Sequence, residues 1–228
     1  MQSKIVALLP MKANSERVRG KNFRMMAGKP LFQWVLDALL GVPSVSKVVI
    51  NTDARHILAE NGLVDSERVL IRDRKPEICG DFVSMNLVLK DDVESVPADA
   101  YIMTHTTNPL LTAATVQKCV EAYQAGLKSG KNDSLFTVTK HQTRFYKKDG
   151  SPINHDPNNL IRTQDLEPYF EENSNLYLFS RESFIKTNAR IGKAPILFEM
   201  TKTESVDIDD PETWDIAEAL IRFQQSKK

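Results

Sequence analysis

The sequence has only two cysteines, no net formal charge and nine glycines in 228 residues. Cys79 and Cys119 stand without a CxxC spacing or a histidine at ligand distance along the chain. That excludes a disulfide framework and a zinc site, and both thiols read as small buried hydrophobes. Thirty basic residues balance thirty acidic ones, so the basic surplus that nucleic-acid or anionic-membrane binding requires is missing. The apolar run at 5–9 is far too short to span a bilayer and no cleavage-site pattern follows it, which makes the cytoplasm the expected setting. No glycine falls into GxxxxGK[ST] or, after a strand, into GxGxxG, so neither a Walker loop nor a dinucleotide fingerprint is present. The four histidines, His56, His105, His141 and His155, show no metal-ligand spacing.

What is present suits an ordinary enzyme core. Hydrophobic residues make up 41% of the chain, enough for one domain over 1–228. Strand-like and helix-like stretches alternate. Apolar runs at 4–9, 47–53, 68–72, 100–104, 134–139, 175–179 and 196–200 read as strands. Between them fall helices: one opened by Pro30, with Leu31, Trp34, Val35, Ala38 and Leu39 at helical spacing and Gly41 following, and others at 54–61, around Met85 to Val93 and at 181–188. Another is capped by Thr112 and expected to stop at Gly126, and a last one opens on Asp210 and Pro211. Regular β-α alternation predicts a mostly parallel twisted sheet flanked by helices. Residues 140–173 break the pattern, being polar, rich in proline and aromatics, and without helical period. A stretch of that length inside a compact domain reads as an inserted lid, a dimerisation arm, or both.

Three segments carry chemistry. The first, 8–22 (LLPMKANSERVRGKN), follows a buried strand and gathers Lys12, Arg17, Arg19 and Lys21 among small and turn-forming residues. Backbone N–H groups and cations together would cradle a triphosphate; the other reading is a solvated basic turn. The second, 205–211 (SVDIDDP), places Asp207 and Asp209 two apart in an extended segment, so both carboxylates leave one face while Ile208 turns inward. Such a pair suits Mg²⁺ sharing phosphate oxygens, or Asp209 and Asp210 merely cap the last helix and complement its dipole. The third, 105–110 (HTTNPL), follows a strand at the end where ligands of open α/β sheets sit, or is a tight connector.

In this order and spacing the segments resemble the acylneuraminate cytidylyltransferases, the CMP-sialic acid synthetases and their relatives that activate other 2-keto-3-deoxy acids. The likeness runs nearly end to end. It rests on SERVRGKN followed by AGKPL, on Arg72 with DFVS at 81–84, on HTTNPL, on Arg162, Gln164 and the Asn175-Leu176-Tyr177 run, and on VDIDDPETWDIAEAL. The resemblance implies a Rossmann-like nucleotidyltransferase with an extended dimerisation arm, working as a homodimer with Mg²⁺. It implies that Lys12, Ser15, Arg17 and Lys21 hold the phosphates of CTP, that Asn22, Arg72 and Ser84 contact the nucleoside, and that Asp207 and Asp209 bind the metal. His105, Arg162, Gln164, Tyr177 and Arg144 would face an acidic sugar acceptor, and Lys21, Arg17 and Asp209 would carry catalysis. The chain departs from the family at Lys12, where arginine is usual, at Glu16, where a cation is common, and at His105, where sialic-acid-specific members have glutamine. Loss of the guanidinium fork at Lys12 keeps charge but not bidentate geometry. The implied reaction is transfer of CMP from CTP to a nonulosonic or related acid with release of pyrophosphate. A phosphonate acceptor, a non-catalytic nucleotide-binding subunit and a sugar-nucleotide-dependent glycosyltransferase are the rival expectations.

Overall fold

A computed structural model describes residues 3–14 and 18–227. Its centre is a seven-stranded sheet. The strands are β1 (Ile5–Leu8), β4 (Val45–Thr52), β5 (Val69–Asp73), β6 (Ala100–Thr104), β7 (Ser134–His141), β8 (Tyr169–Ser180) and β9 (Pro195–Glu199), lying in the order β5-β4-β1-β6-β8-β7-β9. A two-stranded hairpin, β2 (Met25–Met26) and β3 (Lys29–Pro30), stands apart. β8 runs antiparallel to both its neighbours and the other pairings are parallel. The expected mostly parallel sheet is therefore present.

β1 shows why helices must cover both faces: all four of its residues are buried. Ile5 and Ala7 pack with α1 (Leu31–Leu40) and α4 (Ala113–Lys128) on one side. Val6 and Leu8 pack with Leu89 and Val93 of α3 (Met85–Ser95) and Phe184 of α5 (Arg181–Thr187) on the other. The period-two alternation of a strand sends successive side chains to the two cores. The short α2 (Arg55–Glu60) adds Leu58 to the first of these. A third cluster joins Val18, Met26, Leu31 and Leu110 to Ile208 and to Trp214, Ala217 and Ile221 of α6 (Pro211–Gln225). That cluster fastens the C-terminal segment to the front loop. α6 begins with the expected Asp210 cap and Pro211, and Asp210 and Thr213 form a reciprocal capping box.

Two boundaries differ from expectation. α4 does not stop at Gly126 but runs to Lys128. The glycine is used for close packing instead, since a Cβ there would lie 2.6 Å from Ile196 Cδ1. The irregular stretch is also shorter than 140–173. β7 reaches His141 and β8 starts at Tyr169, with His141 opposite Tyr169 and Val138 opposite Glu172. Residues 169–172 are exposed, so no buried apolar alternation marks them as strand. The remaining 142–168 stretch contains one short 3-10 turn, Thr163–Asp165, and exposes Tyr146, Leu160 and Ile161.

The segment leading into β9 is pinned by Asp133, whose carboxylate accepts the N–H groups of Lys193 (2.8 Å) and Ala194 (3.1 Å). A Cβ at Gly192 would collide with that carboxylate. Gly192→Ala is therefore expected to displace Asp133 and cost about 1–3 kcal/mol through lost hydrogen bonds and crowding. Urea unfolding of the variant checks this; a loss below about 0.5 kcal/mol, the range of neutral surface changes, would show that the anchor is dispensable.

Candidate active site

A cleft of about 360 Å³ opens beyond the carboxyl ends of β1, β4 and β6. Pro10, Met11 and Lys12 form one wall as the chain leaves β1, still tied to β4 by Leu9 N–H to Val49 O (2.8 Å) and Met11 N–H to Asn51 O (3.1 Å). Ala13 N–H then donates to Asp53 Oδ1 at 2.7 Å. The front loop returns at Gly20, whose φ of 62° feeds a 3-10 turn, Lys21–Phe23.

Lys21 and Asn22 in that turn are both buried and both line the cleft. Asn22 uses its amide to join walls. It donates to Lys12 O (2.8 Å) and accepts from the hydroxyl of Thr106 (2.6 Å). Lys21 Nζ donates to the carbonyl of Ile208 at 2.6 Å, while Ile208 N–H donates to Thr107 O at 2.9 Å. The front loop, the end of β6 and the segment before α6 thus meet at one residue.

On either side of Ile208 stand the two acids. Ile208 is fully buried, which forces Asp207 and Asp209 toward the opposite face of the extended segment. Asp207 Oδ1 is buried with no hydrogen-bond partner. Its carboxyl is pushed above the usual range, first by burial and then by the nearby Asp209, against the pull of Thr107 and Lys21. A desolvated carboxylate oxygen beside a second acid is a donor set that fits a hard divalent cation. Among the described residues no group of three or more His, Cys, Asp or Glu side chains is placed to hold a metal. A cation here would accordingly draw further oxygens from a ligand or water.

The remaining wall comes from β5 and the turn before α3. Arg74, one residue beyond β5, lines the cleft. Its Nε donates to Asn51 Oδ1 (3.0 Å), and Nη2 donates to Asn51 O (2.7 Å) and Met11 O (3.1 Å). Burial lowers its pKa from the ordinary value, yet arginine starts so high that it stays cationic. Its hydrogen-bond acceptors are all amide carbonyls, which orient the guanidinium without neutralising it. Lys12 reaches across to pair with Asp81. His105 lies at the end of β6, where burial first, then Arg190 and Lys21, push its imidazole down to about 4. It is neutral at pH 7. The cleft therefore combines fixed cations and a neutral imidazole, with a carboxylate pair joined to it through Lys21, a set suited to an anionic ligand and a metal-assisted transfer.

Residues 6–227 match the family model described as cytidylyltransferase. The chain belongs to the cytidylyltransferase family. Among similar proteins, the CMP-N,N'-diacetyllegionaminic acid synthase of Legionella pneumophila is 28% identical over 97% of this chain and 98% of its own length. The N-acylneuraminate cytidylyltransferase of Oncorhynchus mykiss is 29% identical over 96% of this chain, which spans 51% of that longer relative. A solved CMP:2-keto-3-deoxy-manno-octonic acid synthetase complexed with CTP shares the fold, with a TM-score of 0.70 at 18% identity over 97% of this chain and all of that one. The expected family and nucleotidyltransferase class are thus borne out.

The cytidylyltransferase brings together Lys12, Lys21, Asn22 and His105 around the cleft, with Asp207 and Asp209 reached through the Lys21 to Ile208 bond. Ser15 and Arg17, and with them Glu16, lie outside the described residues. Arg72 requires correction. It does not line the cleft but turns toward α3, where it pairs with Asp92 and with Asp91 Oδ2 (2.8 Å) and donates to Ser95 Oγ (2.8 Å). Two buried acids capture it, whereas Arg74 lines the cleft. Ser84 is exposed at the N-cap of α3, between the lining residues Val83 and Met85. Tyr177 is buried on β8, its hydroxyl donating to Glu172 Oε1 at 2.5 Å. Arg144, Arg162 and Gln164 also fall away from the cleft. Arg144 donates to Ile161 O (2.6 Å), Arg162 pairs with Asp165 (2.7 Å), and the carbonyl of Gln164 accepts from Gln142 (2.9 Å). Arg74 and Asp81 were the charged cleft residues not singled out for a role. Position just past a strand's carboxyl end was the signal for Arg74.

The two arginines predict opposite outcomes. Arg72→Met strands Asp92 and leaves Asp91 to Lys75 alone, and is expected to cost about 3–5 kcal/mol at pH 7, the range for breaking a buried pair. Burial already raises Asp92 to about 6, so the cost should shrink at pH 5, where the carboxyl can take a proton. Arg74→Met strands no buried acid and should cost less than half as much. Denaturant unfolding of both variants at the two pH values decides; equal losses would overturn this division.

Proposed function

We propose that this cytidylyltransferase transfers CMP from CTP to a nonulosonic (sialic-acid-like) or related 2-keto-3-deoxy sugar acid, releasing pyrophosphate, with Mg²⁺ as cofactor. The observation that carries the reading is the joining of a cationic cleft, through the bond from Lys21 to Ile208, to a carboxylate pair of which one Asp207 oxygen is buried without a partner. The three relatives and neighbours above, named for CMP-activated sugar acids, support the choice of acceptor class.

The acceptor's anomeric hydroxyl would attack the α-phosphorus of CTP in line. One P–O bond forms to the sugar, the bond to the β-phosphate breaks, and the hydroxyl proton leaves to solvent. Lys12, Lys21 and Arg74 would bind the phosphates and offset the charge that builds on the departing pyrophosphate, with Ser15 and Arg17 serving the same end. Asn22 holds the front loop against the end of β6, so the nucleoside side of the cleft keeps its shape. Ser84 would meet the nucleoside from the start of α3. Mg²⁺, held by Asp207 and Asp209, would supply Lewis-acid stabilisation of the phosphates. His105 and Tyr177 would face the acceptor.

Arg144, Arg162 and Gln164 lie on the 142–168 stretch, away from their own cleft. In a homodimer that stretch would act as an arm serving the neighbour's site, and the exposed Tyr146, Leu160 and Ile161 give it apolar surface to bury. No helix among the described residues is long and apolar enough to cross a membrane, and the free thiols Cys79 and Cys119 suit a reducing cytoplasm.

The test is pyrophosphate release from CTP and Mg²⁺ across N-acetylneuraminate, N,N'-diacetyllegionaminate, 2-keto-3-deoxy-manno-octonate and a phosphonate. Turnover of a sugar acid is expected; release with the phosphonate alone, or with nothing, would overturn the reading. Asp209→Ala should lower turnover by about 10²-fold or more and Lys21→Ala should weaken CTP use, magnitudes typical of lost charge stabilisation. Activity within a few-fold of the parent for Asp209→Ala would remove the metal assignment.

A further inference from the structure

A guanidinium stands behind His105 that the phosphate chemistry leaves unused. Arg190 lies between α5 and β9, in the segment that Asp133 pins and that Gly192 N–H ties to Ser134 Oγ at 2.9 Å. Its Cζ sits 3.9 Å above the centroid of the Tyr177 ring, and Nη1 is 3.9 Å from Met103 Sδ. Among the described residues its one oxygen contact is with Glu172 Oε1, at a long 3.4 Å. That same oxygen already accepts the Tyr177 hydroxyl at 2.5 Å. A guanidinium carries five N–H donors, and this one, with only 21% of its side chain exposed, has a single weak bond to oxygen.

The group stands near the end of β6 that feeds the cleft. Its charge is among the causes that hold the His105 imidazole neutral, and His105 lines the cleft. Met103, which touches Arg190, directly precedes Thr104 and His105 at the end of β6 and pairs with Tyr177 across the sheet.

We propose that Arg190 is the receptor for the carboxylate of the acceptor, a specificity residue that accepts α-keto sugar acids and rejects their uncharged counterparts. A planar fork with open donors matches the two oxygens of a carboxylate. The Tyr177 ring supports it from behind, and the pinned 188–194 segment fixes its position in advance of binding. Glu172 Oε1 is taken by the Tyr177 hydroxyl and lies a long 3.4 Å from the fork, so donors remain for an incoming carboxylate to accept at about 2.8 Å. This inference rests on the acceptor being a sugar acid.

The test is a binding titration, separate from turnover. Protein loaded with Mg²⁺ and the non-hydrolysable α,β-methylene analogue of CTP is titrated with N-acetylneuraminate and 2-keto-3-deoxy-manno-octonate and with the carboxamide of each. The parent should prefer acid over carboxamide by about tenfold or more, the factor carried by a charge-assisted pair. Arg190→Met, which keeps chain length over Tyr177, should erase that preference while leaving affinity for the CTP analogue unchanged. Arg190→Lys, which keeps charge without the fork, should retain part of it and carries the test should the Met variant fail to fold. Preference within twofold of the parent in either variant, or no acid bound by the parent, would overturn the assignment. Pyrophosphate release by the parent is read independently, so turnover together with an unaltered preference in the variants sinks Arg190 alone.

Discussion

The site depends on the backbone of Ile208. A lysine ammonium that is almost wholly buried must be compensated, because a desolvated charge is costly when unpaired. Lys21 meets that need in part at the carbonyl of Ile208, 2.6 Å away, and the adjoining N–H is held by Thr107 O at 2.9 Å. The Ile208 side chain is buried with Trp214, Ala217 and Leu31, a burial worth about 1.5–3 kcal/mol. One residue therefore fastens the returning front loop, the end of β6 and the approach to α6. Because Ile208 cannot leave its pocket, Asp207 and Asp209 cannot rotate inward. The capping box of Asp210 and Thr213 fixes the next turn, so the acids are held from both directions.

A second layer of charge lies beneath the cleft, and Asn51 separates the two. Arg72, Lys75, Asp91 and Asp92 compensate one another along α3. Asn51, also buried, donates its amide N–H to Asp92 Oδ1 at 2.8 Å and presents its amide oxygen to Arg74 Nε at 3.0 Å. The amide can satisfy both only in one orientation. Arg72 is thus spent on structure, while Arg74, two residues on, keeps a full positive charge facing the cleft. An anion binding there meets a cation already oriented by carbonyl dipoles, so little reorganisation accompanies binding.

Most elements were legible because their signals are local. The four apolar residues of β1, the AYIMT run of β6 and the Asp210-Pro211 start of α6 each carry their own pattern, and the structure keeps them within a residue or so. The Asp207-Ile208-Asp209 alternation was equally plain, since a two-residue period needs no knowledge of distant contacts. What could not be read depended on partners far along the chain. The use of Gly126 depends on Ile196, seventy residues later. The first residues of β8 pair with β7 through the backbone and the His141–Glu171 contact, and their exposed side chains leave no buried pattern. Which of Arg72 and Arg74 reaches the cleft is decided by Asp91 and Asp92 on α3, and the spacing of two arginines in an extended run says nothing about that. Arg144, Arg162 and Gln164 came from family resemblance rather than from any local pattern, and their own chain does not bring them to the cleft.

The departure at His105 takes its meaning from its neighbours. Lys21 lines the cleft and Arg190 lies beside Tyr177, and His105 feels both charges. A third cation between them would repel each and would need its own desolvation. With its pKa at about 4 the imidazole stays neutral and can offer either a donor or an acceptor, as the glutamine amide expected in sialic-acid-specific members can offer both. An imidazole commits its two nitrogens to opposite roles set by tautomer, whereas an amide presents oxygen and NH₂ on one fork. Under the proposed function the substitution would preserve charge balance across the cleft while changing the geometry of hydrogen bonding offered to the acceptor. Discrimination among acceptors would then be divided: carboxylate recognition at Arg190, and recognition of hydroxyl or amide substituents at His105.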